Sequence, residues 1–320
     1  MQNLKLFASG KKSIPNIKYR VQATSAKDLK AAAQPRSLFA SKGELGSLVV
    51  VSGSNDYYGV SAAVGNSVYN LLAGLRIGTG YACLFVPSSI KNAVEKLTQN
   101  MIVRTLGKSY ISESTDKEKK VLREWMDRST ALVIGMGIGT KNVPPMRFAA
   151  RLIDYAIGKN MKMVIDADGI RSLKYMKKRL NKNSILTPHD KEFKALTGFA
   201  PPEGRNIRGR IEAATRAAIR TNSVIVLKGH VTIITDGYSV KINKAKTSAL
   251  ATMGTGDVLA GIIGGYLATG CTSFQAASAG VYLHSYIGDA LAKKMGTHIF
   301  ASDVVNYIPV VLKRFDKNAR

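Results

Sequence analysis

The chain is poor in cysteine. Cys83 and Cys271 are the only two among 320 residues, and they stand far apart. That excludes a disulfide framework, a cysteine zinc cluster and a paired redox motif. Two reduced thiols fit the cytoplasm, where disulfides are rare. No stretch approaches the roughly 20 uninterrupted apolar residues of a membrane span. The basic N-terminus lacks the apolar run and cleavage site of a secretory signal. Aromatic residues make up only 7%. They do not alternate with the basic runs at 171–182 and 205–220, as a base-stacking platform would require. Acidic residues are also scarce: 21 Asp and Glu face 47 Lys and Arg, a net charge of +26. Such a charge speaks to association and solubility, not to fold. Without a stacking platform it reads as a solvated surface suited to acidic substrates, and nucleic acid is not expected as the primary partner.

Apolar residues make up 45% of the chain. A chain of this length can bury a sizeable core without metal or disulfide. Residues 1–34 read as a basic N-terminal arm and 35–320 as one domain. Within that domain short β-branched runs alternate with helical patterns. Strands are expected at 48–52, 82–86, 131–134, 163–165, 184–186, 224–228, 231–235 and 239–242. Helices are expected at 62–77, 146–157, 208–220, 255–268, 273–295 and 301–312. Asp236-Gly237 marks a hairpin between the last two strands. The alternation predicts an α/β fold with a mostly parallel sheet covered on both faces. Ligands of such sheets lie beyond the carboxyl ends of the strands.

The chemistry-bearing segments fall at those ends. Gly254-Thr255-Gly256-Asp257 opens an apolar helix. Its glycines let backbone N–H groups point into one concavity, where the helix start adds partial positive charge. A phosphate suits that place. The plainer reading of Asp257 is a first-turn helix cap. Lys228-Gly229-His230-Val231-Thr232 turns from one strand to the next; it can wrap a phosphate, or be a simple hairpin with an exposed lysine. His189, in Thr187-Pro188-His189-Asp190-Lys191-Glu192, can contact substrate or merely cap a helix. Asp166 and Asp168 can hold a metal, a ribose or a water, or cap their loop. Gly135-Met136-Gly137-Ile138-Gly139 permits close backbone approach but lacks dinucleotide-fingerprint spacing. The loop at Gly53-Ser54 and Asp56-Tyr57-Tyr58-Gly59 can stack on a ring or lie on the surface. His284 reads as a satisfied core histidine, and Asp289 as structural.

Taken together, these segments resemble one family. They are ATMGTGDVLAGIIGGYLATG (251–270), VIVLKGHVTIITDG (224–237), ILTPHDKEFKALTG (185–198), VIDADGIRSL (164–173) and residues 277–292. With the entry strand at 35–54, they are similar, in order, to the ADP/ATP-dependent NAD(P)H-hydrate dehydratases. The resemblance implies a ribokinase-like three-layer α/β/α sandwich. It also implies repair of NADH or NADPH hydrated on the dihydropyridine ring. ADP or ATP phosphorylates the ring hydroxyl, phosphate departs, and the double bond returns.

On this resemblance Asp257 is the base. The Thr255 and Gly256 backbone and the helix start stabilise the transferring phosphoryl group. A divalent metal, magnesium, bridges nucleotide oxygens, its ligands unknown. Lys228, Gly229, His230, Val231, Thr232 and Gly256 match the nucleotide contacts. Gly137, His189 and Asp257 match the hydrated-cofactor contacts. A further substrate contact falls at Gly65-Asn66 or near Gly59-Val60, because that loop is longer than usual. The usual Gly-Pro-Gly is Gly135-Met136-Gly137 here, and Pro-His-Pro is Pro188-His189-Asp190. The resemblance further implies a homo-oligomer, a tetramer. The leading segment has no room for the epimerase fused to this domain elsewhere, so a separate NAD(P)H-hydrate epimerase is the expected functional partner. Two competing readings stand: a ribokinase-like kinase for a vitamin-precursor alcohol, and a basic nucleic-acid-binding protein on this scaffold.

Overall fold

The computed structural model describes residues 19–56, 60–97, 100–139 and 142–316, with backbone alone for 60–66. Ten strands form one sheet: β1 (Arg20–Ala23), β2 (Ser47–Val51), β3 (Tyr81–Val86), β4 (Ile102–Thr105), β5 (Ala131–Ile134), β6 (Lys162–Ile165), β7 (Ser184–Leu186), β8 (Val224–Leu227), β9 (Val231–Thr235) and β10 (Ser239–Lys244). Their order is β1-β10-β9-β8-β7-β6-β5-β2-β3-β4. Pairing is parallel except where β9 meets β8 and β10. The helices are α1 (Ala26–Ala32), α2 (Val60–Ile77), α3 (Ser88–Leu97), α4 (Asp116–Arg128), α5 (Val143–Gly158), α6 (Asp168–Ser172), α7 (Asp190–Thr197), α8 (Ile207–Thr221), α9 (Thr255–Ala268), α10 (Ser273–Met295) and α11 (Ala301–Leu312).

The continuous apolar strands predict burial on both faces, and the pleat sorts them accordingly. Leu48, Val50, Leu84, Val133 and Val164 face a core shared with α2, α9, α10 and α11. Val49, Val51, Phe85, Ile134 and Ile165 face the other core, filled from α4, α5, α7 and α8. This is the expected sheet between two helical layers. Helix α9 is apolar all round and almost wholly buried, as the centre of one layer requires. It lies hard against α2, because a Cβ on Gly261 would come within 2.1 Å of the Asn70 carbonyl oxygen.

The expected hairpin at Asp236-Gly237 joins β9 and β10, with Val240 opposite Thr235. Asp236 Oδ1 accepts from the N–H groups of Tyr238 and Ser239 at 2.9 and 2.7 Å. Part of the span read as an arm is tied into the sheet. β1 pairs with β10, and α1 buries Leu29 and Ala32. A capping box between Ser25 and Asp28 starts that helix. Among the described residues, no helix is long and apolar enough to cross a membrane.

Candidate active site

Strand order reverses between β2 and β5, which makes their carboxyl ends a topological switch point. The loops after β2, β5, β6, β7 and β8 and the start of α9 all meet on that side. Gly254 caps α9 with φ 87°, a left-handed conformation that glycine adopts without strain. No side chain caps this end. The Thr255 backbone, expected to face a phosphate, is engaged within the turn. Its N–H bonds Thr252 O at 3.3 Å, and its hydroxyl bonds the carbonyls of Leu250 and Thr252. It fastens the turn. Gly256 and Asp257 remain as first-turn N–H groups without intrahelical acceptors.

Asp257 belongs to a buried charge cluster. Lys228 Nζ lies 3.0 Å from Asp166 Oδ1 and 3.8 Å from Glu192 Oε2. It also lies 3.8 Å from where a Cβ on Gly256 would sit. Asp166 and Glu192 are almost wholly enclosed. Burial, reinforced by Asp166 and opposed by Lys228, pushes the Asp257 carboxyl up to about 8. Burial likewise raises Glu192, with Lys228 opposing and Asp166 reinforcing. For Lys228 burial works against the charge, but Asp166 and Glu192 outweigh it and hold the ammonium above its ordinary range. The site therefore holds three carboxyl groups around one lysine.

His189 is both helix cap and site wall. Its Nδ1 accepts from the N–H groups of Lys191 and Glu192 at 3.1 and 3.4 Å, and Glu192 Oε2 accepts from His189 N at 2.8 Å. Burial, then Lys228, lowers its pKa. The neutral ring, protonated on Nε2, faces Glu192 Oε1 at 3.2 Å. Gly137 (φ 62°) and Gly139 (φ 96°) follow β5, and Asp168 Oδ2 accepts from Gly139 N at 3.1 Å. In the β8–β9 turn, Gly229 and His230 are exposed and Val231 is buried, so only its backbone can serve a ligand. Thr232 Oγ1 bonds Gly229 O at 3.2 Å. His284 is buried as expected and bonds the Thr255 backbone; burial pulls its pKa down to about 4. Its Nε2 has no partner among the described residues. The side chain of Asn66, and residues Tyr57, Tyr58 and Gly59, lie outside the described residues.

Three supporting residues escaped sequence reasoning. Glu192 was visible only as a helix residue three places after His189, the spacing of a capping box. Asn70 is fully buried in α2 and donates to Asp257 O at 3.0 Å. Buried Arg210 grips Asp190 through both nitrogens at 2.9 and 3.1 Å and donates to Lys228 O at 3.1 Å. Asp190, where Pro-His-Pro would place proline, is thus the partner of the arginine that fixes the lysine turn. Nothing in the spacing of Asn70 or Arg210 announces these contacts.

The NAD(P)H-hydrate dehydratase family pattern matches residues 48–310. A bifunctional NAD(P)H-hydrate repair enzyme of Pyrobaculum aerophilum is 32% identical over 86% of this chain and 52% of its own length. An ADP-dependent (S)-NAD(P)H-hydrate dehydratase of Cenarchaeum symbiosum is 30% identical over 86% of this chain and 91% of its own. The chain spans about half the length of the bifunctional relatives it matches. The ADP/ATP-dependent NAD(P)H-hydrate dehydratase of Bacillus subtilis, solved with ATP and magnesium, superposes with a TM-score of 0.73. It shares 23% identity, with 95% of this chain and 100% of that one covered. The fold is ribokinase-like. The chain belongs to the NAD(P)H-hydrate dehydratase family.

Proposed function

We propose that this protein uses ADP or ATP to dehydrate hydrated NADH or NADPH. The observation that carries the reading is Asp257. A carboxyl raised to about 8 stands at the open start of a buried helix, within the electrostatic reach of Lys228, Asp166 and Glu192. A base of that strength suits removal of an alcohol proton near neutral pH. The first-turn N–H groups of Gly256 and Asp257 and the Lys228 ammonium suit the charge of a transferring phosphoryl group. Hydroxide leaves poorly; once phosphorylated, the same oxygen leaves with the phosphate, the neighbouring ring carbon releases a proton to solvent, and the ring double bond forms between the two carbons. His189 and Gly137 fit the side of the substrate.

Among the described residues no group of three or more His, Cys, Asp or Glu side chains is placed to hold a metal ion, so a magnesium ion here would share its coordination with the nucleotide. Asp166 and Glu192 offer hard oxygens, and the excess of carboxyl groups over cations, visible in the raised Asp257, favours a further positive charge. When bound, it would neutralise nucleotide phosphate charge. Lys228, Gly229, His230, Val231, Thr232 and Gly256 would hold the nucleotide. Homologous naming supports an adenine nucleotide as co-substrate. Cytoplasmic location, a homo-oligomer and a separate epimerase partner complete the proposal; in the bifunctional relatives two repair functions share one chain.

The test is incubation with hydrated NADH, magnesium and either nucleotide, following the absorbance of the reduced ring. Restored absorbance with stoichiometric free phosphate is expected. A stable phosphoester without restored absorbance would instead identify a small-molecule kinase.

A further inference from the structure

On the same side of the sheet as the phosphoryl-transfer cluster, polar side chains gather around Gly139 that the dehydration chemistry does not use. From where a Cβ on Gly139 would sit, Ser54 Oγ is 3.4 Å away, Asp56 Oδ2 3.6 Å and Tyr110 Cε1 3.6 Å. The positive φ of Gly139 disfavours a side chain there, and the three neighbouring atoms stand at ordinary contact distance. Asp168 approaches from β6 through its bond to Gly139 N. The Tyr110 hydroxyl donates to Asp56 Oδ1, which fixes the carboxylate but satisfies only one of its oxygens. Asp56 Oδ2 and Ser54 Oγ are shut from solvent and have no hydrogen-bond partner among the described residues. Ser54 as a whole is 1% exposed. Two buried polar atoms converging without partners are unusual, because each carries its full desolvation penalty.

The chemistry selects the ligand group. Ser54 can donate or accept, but Asp56 Oδ2 can only accept. A nucleotide phosphate, all acceptor and negatively charged, is repelled here and belongs at Lys228. The group that fits is a neutral donor: a ribose hydroxyl or an amide NH2. The hydrated cofactor carries ribose hydroxyls in both halves and an amide NH2 on its nicotinamide ring alone. Gly137, two residues before Gly139, stands among the substrate contacts of the reading above.

We infer that Asp56, held by Tyr110 and assisted by Ser54, accepts a hydrogen bond from the nicotinamide half of the substrate and sets specificity for it. This rests on the dehydratase reading above. Asp56 and Ser54 bind; Tyr110 positions.

The test compares steady-state kinetics of wild type, Asp56→Asn, Ser54→Ala and Tyr110→Phe on hydrated NADH with saturating nucleotide and magnesium. Asp56→Asn is expected to raise the KM for hydrated NADH about 10- to 100-fold, the value of a hydrogen bond to a charged acceptor. Its kcat should stay within about threefold and its nucleotide KM unchanged. Tyr110→Phe should show the same split at smaller size. Ser54→Ala should raise KM while leaving the melting temperature equal or higher, since it removes an unsatisfied buried hydroxyl. A purely structural role would lower the melting temperature and leave KM alone.

A substrate bearing a ring carboxylate in place of the carboxamide separates the two donors. If the amide is read, wild type rejects it and Asp56→Asn recovers it. If ribose is read, both enzymes treat the pair of substrates alike. Unchanged KM in Asp56→Asn and Ser54→Ala, with wild type active, overturns the subsite alone. An inactive wild type overturns the dehydratase reading and the subsite with it.

Discussion

The two ends of α9 are built to opposite specifications. At its carboxyl end the free carbonyls are tied down. Lys162 Nζ donates to Gly270 O and Cys271 O at 3.0 and 2.8 Å, and the Thr130 hydroxyl reaches Ala268 O at 3.1 Å. A cation there also complements the helix dipole. At its amino end the N-cap Gly254 brings no side chain to bond the helix, two N–H groups stay open, and Asp257 is held in a setting that resists its ionisation. A helix optimised for stability would be capped at both ends. Here the anchored end lets the other remain unsatisfied, which is how a rigid scaffold carries a strained site.

The sharpest way to break this contrast is Asp257→Asn. Loss of the base should lower kcat by about 10²- to 10⁴-fold, with the nucleotide KM little changed. The same variant should be more stable than wild type, and increasingly so at high pH. The folded carboxyl titrates near 8 against an ordinary 3.8. Its stabilising proton is therefore fully present below 3.8 and lost as pH rises to 8. Asparagine does not titrate, so melting temperatures of the two proteins should diverge across that window. For wild type, kcat/KM should climb with pH toward a plateau above about 8. Parallel melting curves would show that Asp257 is not strained in the free enzyme.

Lys228→Ala probes the cluster instead of the base. It leaves Asp166 and Glu192 enclosed without their cation. Breaking a buried pair on one side costs about 3–5 kcal/mol; Lys228 keeps some solvent contact, so about half of that is expected. The nucleotide KM should rise at least tenfold, and an unchanged KM would remove Lys228 from the nucleotide site. Asp166→Asn in the same background should restore part of the stability, because it removes the stranded charge.

Much of this contrast was legible in the sequence, and unevenly. The buried strands and the three C-terminal helices were plain from their apolar runs. β1 and β4 were not: they are edge strands with mostly exposed residues, so period and hydrophobicity carry little signal. α3 and α4 are short and polar outside a narrow apolar face and were passed over for the same reason. At the site, residues whose type announces chemistry, Asp257, Lys228 and His189, fall on one side of the sheet. For Thr255 the sequence suggested a backbone N–H at the phosphate; that its hydroxyl fastens the turn to Leu250 and Thr252 depends on how the chain folds back and has no sequence signal. Asn70 and Arg210 could not be read at all, since their roles arise from chain segments distant in sequence; Asp56 was visible only as part of a loop, without its bond to Tyr110.

A change in mid-helix tests whether α9 acts as one rod. Gly261→Ala puts a methyl group within 2.1 Å of the Asn70 carbonyl, where backbone faces backbone and neither side chain can yield. Overpacking of this kind costs about 1–3 kcal/mol. The displacement should also weaken the Asn70–Asp257 bond, so kcat should fall together with the melting temperature. A stability loss with kcat intact would mean that the helix entrance is held independently of its middle.

The mildest probe is Lys162→Ala at the anchored end. It frees two carbonyls that lie partly in water, so hydration replaces much of what is lost. About 1 kcal/mol of stability should go, a drop of about 2 °C in melting temperature for a chain of this size. Turnover should be indistinguishable from wild type, because the open amino end depends on Gly254 and the charge cluster and not on the far cap. A fall in kcat without a matching fall in stability would show the opposite: that the two ends are coupled through the helix, and that the cation at Gly270 helps set the field felt by Asp257.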